Sequence, residues 1–416
     1  MSGRRRAGPP KSARLAATAG LIAALATATV PAQQPPGPPE LLPAGNPASV
    51  AFVGPPLMPK FAILGEEVLP GGLARLEWRT SQGFAGDAVL SPVVVAHGLR
   101  PGPVLCLTAA IHGDEINGVE VVRRVVNEIE PSQLSGTLIA VPIVNLFGFS
   151  RGSRYLPDRR DLNRFFPGNR VGSIASRIAH NFLHNVITHC DALVDFHTGS
   201  FDRSNLPQVR ADLRSTAVMD FVRRFGGTPV LHSAGSRGML RVAAAQMGIP
   251  AVTFEIGGPS VLQLPEIERS VEAIQSLMYE LGMIATAAAR SEPPSMFYSS
   301  QWVRVDSGGM LLGRVALGER VVAGQTLGMV IDPINNIERE VLATVSGRVI
   351  GMARNQVVLP GFAAYHIGEE QSAAAAAQNA VSGDNPGALE EEYADPSDPD
   401  AIEPDPSADE IEPPPS

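Results

Sequence analysis

Between about residues 85 and 290 the chain alternates short apolar runs with longer stretches of helical periodicity. The apolar runs fall at 93–96, 104–111, 138–144, 192–196, 229–231 and 251–254. Brief, continuous and bounded by Gly and Pro, they read as buried strands. Stretches 118–129, 174–187, 215–225, 241–247 and 267–281 carry the spacing of helices. Regular alternation of this kind predicts an α/β domain built on a largely parallel sheet flanked by helices. Residues 58–84 read as an N-terminal β element of the same domain. From about 301 to 368 the pattern changes to short β runs separated by glycines, with no room for a long helix. That predicts a small all-β C-terminal module, a sandwich or flattened barrel.

Both ends differ in composition. Arg4, Arg5, Arg6, Lys11 and Arg14 precede an uncharged, Ala/Leu-rich stretch over 15–30, followed by Val30-Pro31-Ala32. This is a secretory signal pattern over 1–32. Its apolar part is short for a membrane span, so no stable span is expected after cleavage. A Pro-rich linker covers 33–57. The expected domains are then 58–298, carrying the chemistry, and 299–368, the β module. Residues 369–416 hold 14 acids and no Lys or Arg, and are expected to form a disordered acidic tail.

The tail accounts for the net charge of −9. Setting aside five basic residues of the leader and the tail's acids leaves 28 residues of each sign. A balanced core lacks the basic footprint of a nucleic-acid-binding surface. Two cysteines are too few for a disulfide framework. Cys106 stands six residues before His112, and Cys190 seven before His197. If both histidines meet at one metal, the thiols lie at similar depths on their strands, where an exported protein can join them. The expectation is two buried free thiols.

Polar clusters follow the strands. His112 and Glu115 come after the run at 104–111. Asn145 and the arginine-bearing loop 154–164 come after 138–144. His197-Thr198-Gly199 follows 192–196, and Glu255 follows 251–254. Open α/β sheets bind ligands at the carboxyl ends of their strands. The chemistry of the clusters is complementary. Two imidazoles and a carboxylate make a three-ligand zinc set that leaves a position for water. Glu255 is placed to take a proton. Of two arginines, one is needed to polarise a carbonyl and one to grip a carboxylate. Arg154 and Arg164 are available for these roles, with Arg151, Arg159 and Arg160 as neighbours of Arg154.

The series His112-Gly113-Asp114-Glu115, Arg154-Tyr155, Asp161-Leu162-Asn163-Arg164, Asp195-Phe196-His197-Thr198-Gly199 and Glu255-Ile256-Gly257 resembles the motifs of the succinylglutamate desuccinylase/aspartoacylase family. Their order matches across about residues 58–368. The resemblance implies a zinc-carboxypeptidase-like fold with one Zn2+ per chain on His112, Glu115 and His197. It makes Glu255 the general base, Arg154 the carbonyl-polarising group, and Asn163 and Arg164 the holders of a substrate carboxylate. Asn163 has a second reading as a turn cap. Asp161 reads as a supporting acid, and Asp195 as an orienter of a ligand histidine. The family's lid tyrosine has no counterpart; Tyr298 and Tyr365 are candidates by position alone. The β module resembles that family's biotinyl/lipoyl-like domain, but it has no lysine to carry either group.

His180 and His184 share a helix at metal-like spacing, but Asn181 stands where a catalytic Glu is needed. Gly257-Gly258 lacks the Lys-Ser/Thr of a phosphate loop. The resulting expectation is an exported zinc-dependent hydrolase of an amide bond in an N-acyl amino acid or similar carboxylate-bearing small molecule. One alternative is an exported metallocarboxypeptidase acting on peptides or peptidoglycan stems. Another is a metal-retaining binding protein. Oligomeric state is not legible.

Overall fold

The apolar runs become the middle of a sheet. Ala251–Gly257, Ala192–His197, Arg100–Ala109 and Ser135–Val141 lie side by side in that order, all parallel. The computed structural model describes residues 58–82, 86–286 and 296–383. The expected leader at 1–32, the expected linker at 33–57 and the chain beyond 383 lie outside the described residues. Beyond Ser135–Val141, the antiparallel strands Ala88–His97 and Gly72–Gln82 complete one edge. On the other side Arg203–Ala211 runs antiparallel to Ala251–Gly257, and Pro229–His232 is parallel to it.

Helices cover both faces, which is why the central strands are apolar on both sides. Leu105, Leu107 and Ala109 face helices Ile116–Glu128 and Leu264–Glu280. Cys106, one residue out of phase, faces the opposite core, with Ile174–Asn185 and Leu240–Gln246. Each fully buried large apolar side chain contributes about 1.5–3 kcal/mol. The central sheet is therefore the most strongly held part of the molecule, and it presents its carboxyl ends as a rigid platform.

The β module is fused to this sheet. Met296–Arg304 pairs in parallel with Pro229–His232 through its first residues, and antiparallel with Ala363–Gln371 along its length. Gly347–Ala353 pairs with both Ala363–Gln371 and Arg203–Ala211. Among the described residues twelve strands form this one mixed sheet, and a separate four-stranded antiparallel sheet completes the module. The expected boundaries at 298/299 and 368/369 therefore need correction, because each falls inside a continuous strand.

Two other expectations are overturned. The acidic tail was expected to be disordered from residue 369, but Ala373–Ser382 is a helix. Ser372 caps it, and Ala376 and Ala380 pack on the main core. Alanine has the highest helix propensity, and the buried alanine face supplies the tertiary support that a short helix needs. Cys106 and Cys190 are not free thiols. They form a disulfide with Cα atoms 5.7 Å apart, because Cys190 enters the strand that pairs directly with the one bearing Cys106.

Candidate metal centre and active site

Strand Arg100–Ala109 ends in a sharp change of direction, with Ala110 at a left-handed φ of 52°. The chain then closes a turn in which the Glu115 N–H donates to the His112 carbonyl at 3.1 Å. This turn brings side chains three residues apart to one point. It packs tightly: a Cβ on Gly113 would fall 2.0 Å from the Gly148 backbone, so only glycine fits. Glu115 is also the N-cap of helix Ile116–Glu128, yet its side chain makes no capping hydrogen bond. Its carboxylate turns instead toward the histidines.

His112 Nδ1 lies 3.0 Å from Glu115 Oε1, and His197 Nδ1 lies 3.0 Å from Glu115 Oε2. The two Nδ1 atoms are 3.2 Å apart. The outer nitrogens are engaged elsewhere: His112 Nε2 with Asp161 Oδ1 at 2.9 Å, and His197 Nε2 with Asp195 Oδ2 at 2.8 Å. A carboxylate only accepts, so each Nε2 donates to its aspartate, and with a metal bound each Nδ1 would be the atom that presents a lone pair to it. Tetrahedral ligands bound at about 2.0–2.1 Å are separated by roughly 3.3 Å, close to these spacings. The three side chains are buried and can hold a metal ion.

The electrostatics agree. Burial opposes charge on Glu115, but the imidazoles of His112 and His197 outweigh it and hold the carboxyl below its usual range. Burial also disfavours protonation of His197, but Asp195 and Glu115 raise its pKa well above the ordinary value. His112 is raised in the same sense by Asp161 and Glu115, against burial and Arg154. The pocket thus attracts positive charge to the point where the donor atoms converge.

All seven residues singled out by sequence line one pocket: His112, Glu115, Arg154, Asn163, Arg164, His197 and Glu255. Arg154 donates to Asp161 Oδ2 at 2.9 Å and to Glu115 Oε1 at 3.2 Å. Glu255 stands beside His197 in the parallel pairing of their strands and accepts from Asn205 Nδ2 at 3.3 Å. Asn163 is partly structural. Its Oδ1 accepts from the Leu240 N–H at 2.8 Å, at the start of helix Leu240–Gln246, which leaves its amide donors. Tyr298 and Tyr365 are buried in hydrophobic clusters and do not line the pocket. His180 and His184 pack against each other on their helix, their rings tilted by 35°, outside the metal group.

Sequence reasoning missed Arg210, Asn205, Ser200 and Thr253. Ser200, Arg210 and Thr253 line the pocket. Arg210 Nε lies 3.9 Å from Glu255 Oε1. Both Arg210 and Asn205 sit on Arg203–Ala211, whose polar composition and Pro207 hide a fully buried strand.

A mixed sheet covered on both faces, with a His-Glu-His group at its strand ends, defines the zinc-carboxypeptidase-like class of α/β proteins. Residues 101–281 match the model of the succinylglutamate desuccinylase/aspartoacylase catalytic domain. The chain is 26% identical over 260 residues to N-alpha-acetyl-L-2,4-diaminobutyric acid deacetylase of Halomonas elongata, covering 60% of this chain and 76% of the relative. Its fold is similar to a succinylglutamate desuccinylase from a Silicibacter species, with TM-score 0.65 and 24% identity over 76% of this chain and 99% of the other. It is also similar to an ectoine utilization protein of Ruegeria pomeroyi solved with product bound, with TM-score 0.64 and 24% identity over 75% and 98% of the two chains.

Proposed function

We propose that this protein is an exported, zinc-dependent hydrolase that cleaves the amide bond of an N-acyl amino acid or a similar carboxylate-bearing small molecule. One observation carries the reading: a three-ligand metal group, a buried carboxylate outside it and several arginines converge on one pocket. The deacetylase named above, which acts on an acylated amino acid, supports the same substrate class. Zinc suits two imidazoles and a carboxylate, and when bound it supplies Lewis acidity and acidifies a coordinated water.

The chain's own groups have separate tasks. Glu255 accepts a proton from the attacking water and returns it to the departing nitrogen. Arg154 is held rigidly by Asp161 and Glu115, so its charge is already oriented toward the oxygen that becomes negative. Arg164, with the amide donors of Asn163, receives the substrate carboxylate. Export rests on the leader pattern, and the Cys106–Cys190 disulfide fits an oxidising compartment.

The test is a panel of N-acyl amino acids set beside peptides with free C-termini, offered to zinc-loaded protein. The proposal expects turnover of acyl amino acids. It also expects Glu255→Gln to lower kcat by about 10²–10⁴-fold with full metal content. Turnover of peptides alone would select the carboxypeptidase alternative. Wild-type turnover by Glu255→Gln would overturn the mechanism.

A further inference from the structure

We propose that the C-terminal β module positions the proton-transferring carboxylate, with Gly351 fixing Asn205 and Asn205 holding Glu255. This rests on the assignment of Glu255 above and adds two positioning residues to it.

Asn205 is fully buried, and its Nδ2 donates to Glu255 Oε2 at 3.3 Å. It reaches that oxygen because its strand is bulged. Gln208 stands opposite Glu255, while Asn205 stands opposite Gly257. Three steps on one strand therefore match two on the other. A bulge beside a site re-aims a side chain that regular alternation would place elsewhere. Pro207 lies within the extra step, where a missing N–H costs no ladder bond.

The other side of this bulge is covered by the module. Gly347–Ala353 pairs antiparallel with Arg203–Ala211, and Gly351 is directly opposite Asn205. A Cβ on residue 351 would sit 2.5 Å from Asn205 Oδ1 and 3.3 Å from the His366 Cβ. The module's backbone therefore abuts the carboxamide with no spare space, and any larger residue must displace it. A second tie holds the same place: Gln208 Nε2 donates to the Ile350 carbonyl at 3.2 Å. Asn205 is thus pinned between the module and Glu255. The module's docking is read out at the carboxylate and not only in stability.

The experiment compares wild type, Asn205→Ala, Gly351→Ala and the double variant as full-length, zinc-loaded proteins. Thermal melts and metal content serve as folding controls. With the best acyl amino acid of the panel, Asn205→Ala is expected to lower kcat by about 10-fold or more with little change in KM. The acid limb of its pH profile should move to higher pH, because a carboxylate that loses a donor is a stronger base. Gly351→Ala should show the same signature, and it should add nothing in the Asn205→Ala background, where the struck oxygen is gone. A substrate-free measurement stands beside these: the ¹³C carboxyl resonance of Glu255, assigned by its loss in Glu255→Gln, should titrate at higher pH in both single variants. Failure of the functional reading would appear as no turnover by wild type, and the carboxyl titration would still decide the inference. Unchanged kcat and carboxyl titration in Asn205→Ala would overturn it. So would a Gly351→Ala loss that persists undiminished in the double variant.

Discussion

Asp161 and Asp195 each hold one imidazole by its outer nitrogen, and those two contacts decide which nitrogen is left for a metal. Asp195 is itself held, accepting from the Thr108 hydroxyl at 2.6 Å. Partners of this kind fix ring orientation and raise ligand basicity. If the site holds the proposed zinc, Asp195→Ala is expected to weaken its binding by about 10–100-fold, measured by competition with a chromophoric chelator. An unchanged Kd would show that His197 is oriented by its strand alone. The donor triad itself was legible in sequence. His112 and Glu115 are joined by a single turn, and turn-forming residues are local signals. The orienting role of Asp195, two residues from His197, was legible as well, whereas the pairing of Asp161 with His112 across 49 residues was legible only as a supporting acid without a named partner.

At the scale of elements, the strands that carry His112 and His197 are neighbours tied covalently beneath the site. The Cys106–Cys190 bond closes a loop of 84 residues. Closing a loop of that size stabilises the folded state by about 2–5 kcal/mol through the unfolded chain. Cys106→Ser is expected to lower the thermal midpoint clearly under oxidising conditions, and excess reductant should bring wild type to the same value. Equal midpoints for oxidised wild type and the variant would contradict this. Strand Arg203–Ala211 teaches the opposite lesson about legibility. Its polar residues, which carry no apolar alternation, are buried because they serve the pocket and the module. Local pattern reading therefore passed over Arg210 and Asn205.

Across the whole molecule, the pairing of Gly347–Ala353 with both Ala363–Gln371 and Arg203–Ala211 closes a ring of five strands through Met296–Arg304 and Pro229–His232. The active-site sheet and the module share that ring, so neither is expected to melt alone. Calorimetry should show one cooperative transition; two resolved transitions would separate the parts. The sequence by itself determined the α/β alternation, the strand-end placement of His112, Glu115, His197 and Glu255, and the change to a β module. Those features are written in short continuous apolar runs, in the 3.6-residue period of helices and in turns of a few residues. Only the tertiary structure decided the disulfide, the shared ring, the ordered helix at Ala373–Ser382 and the Gly351–Asn205–Glu255 chain of contacts. Each of these joins segments far apart in the chain, and long-range pairing leaves no periodic mark on either partner.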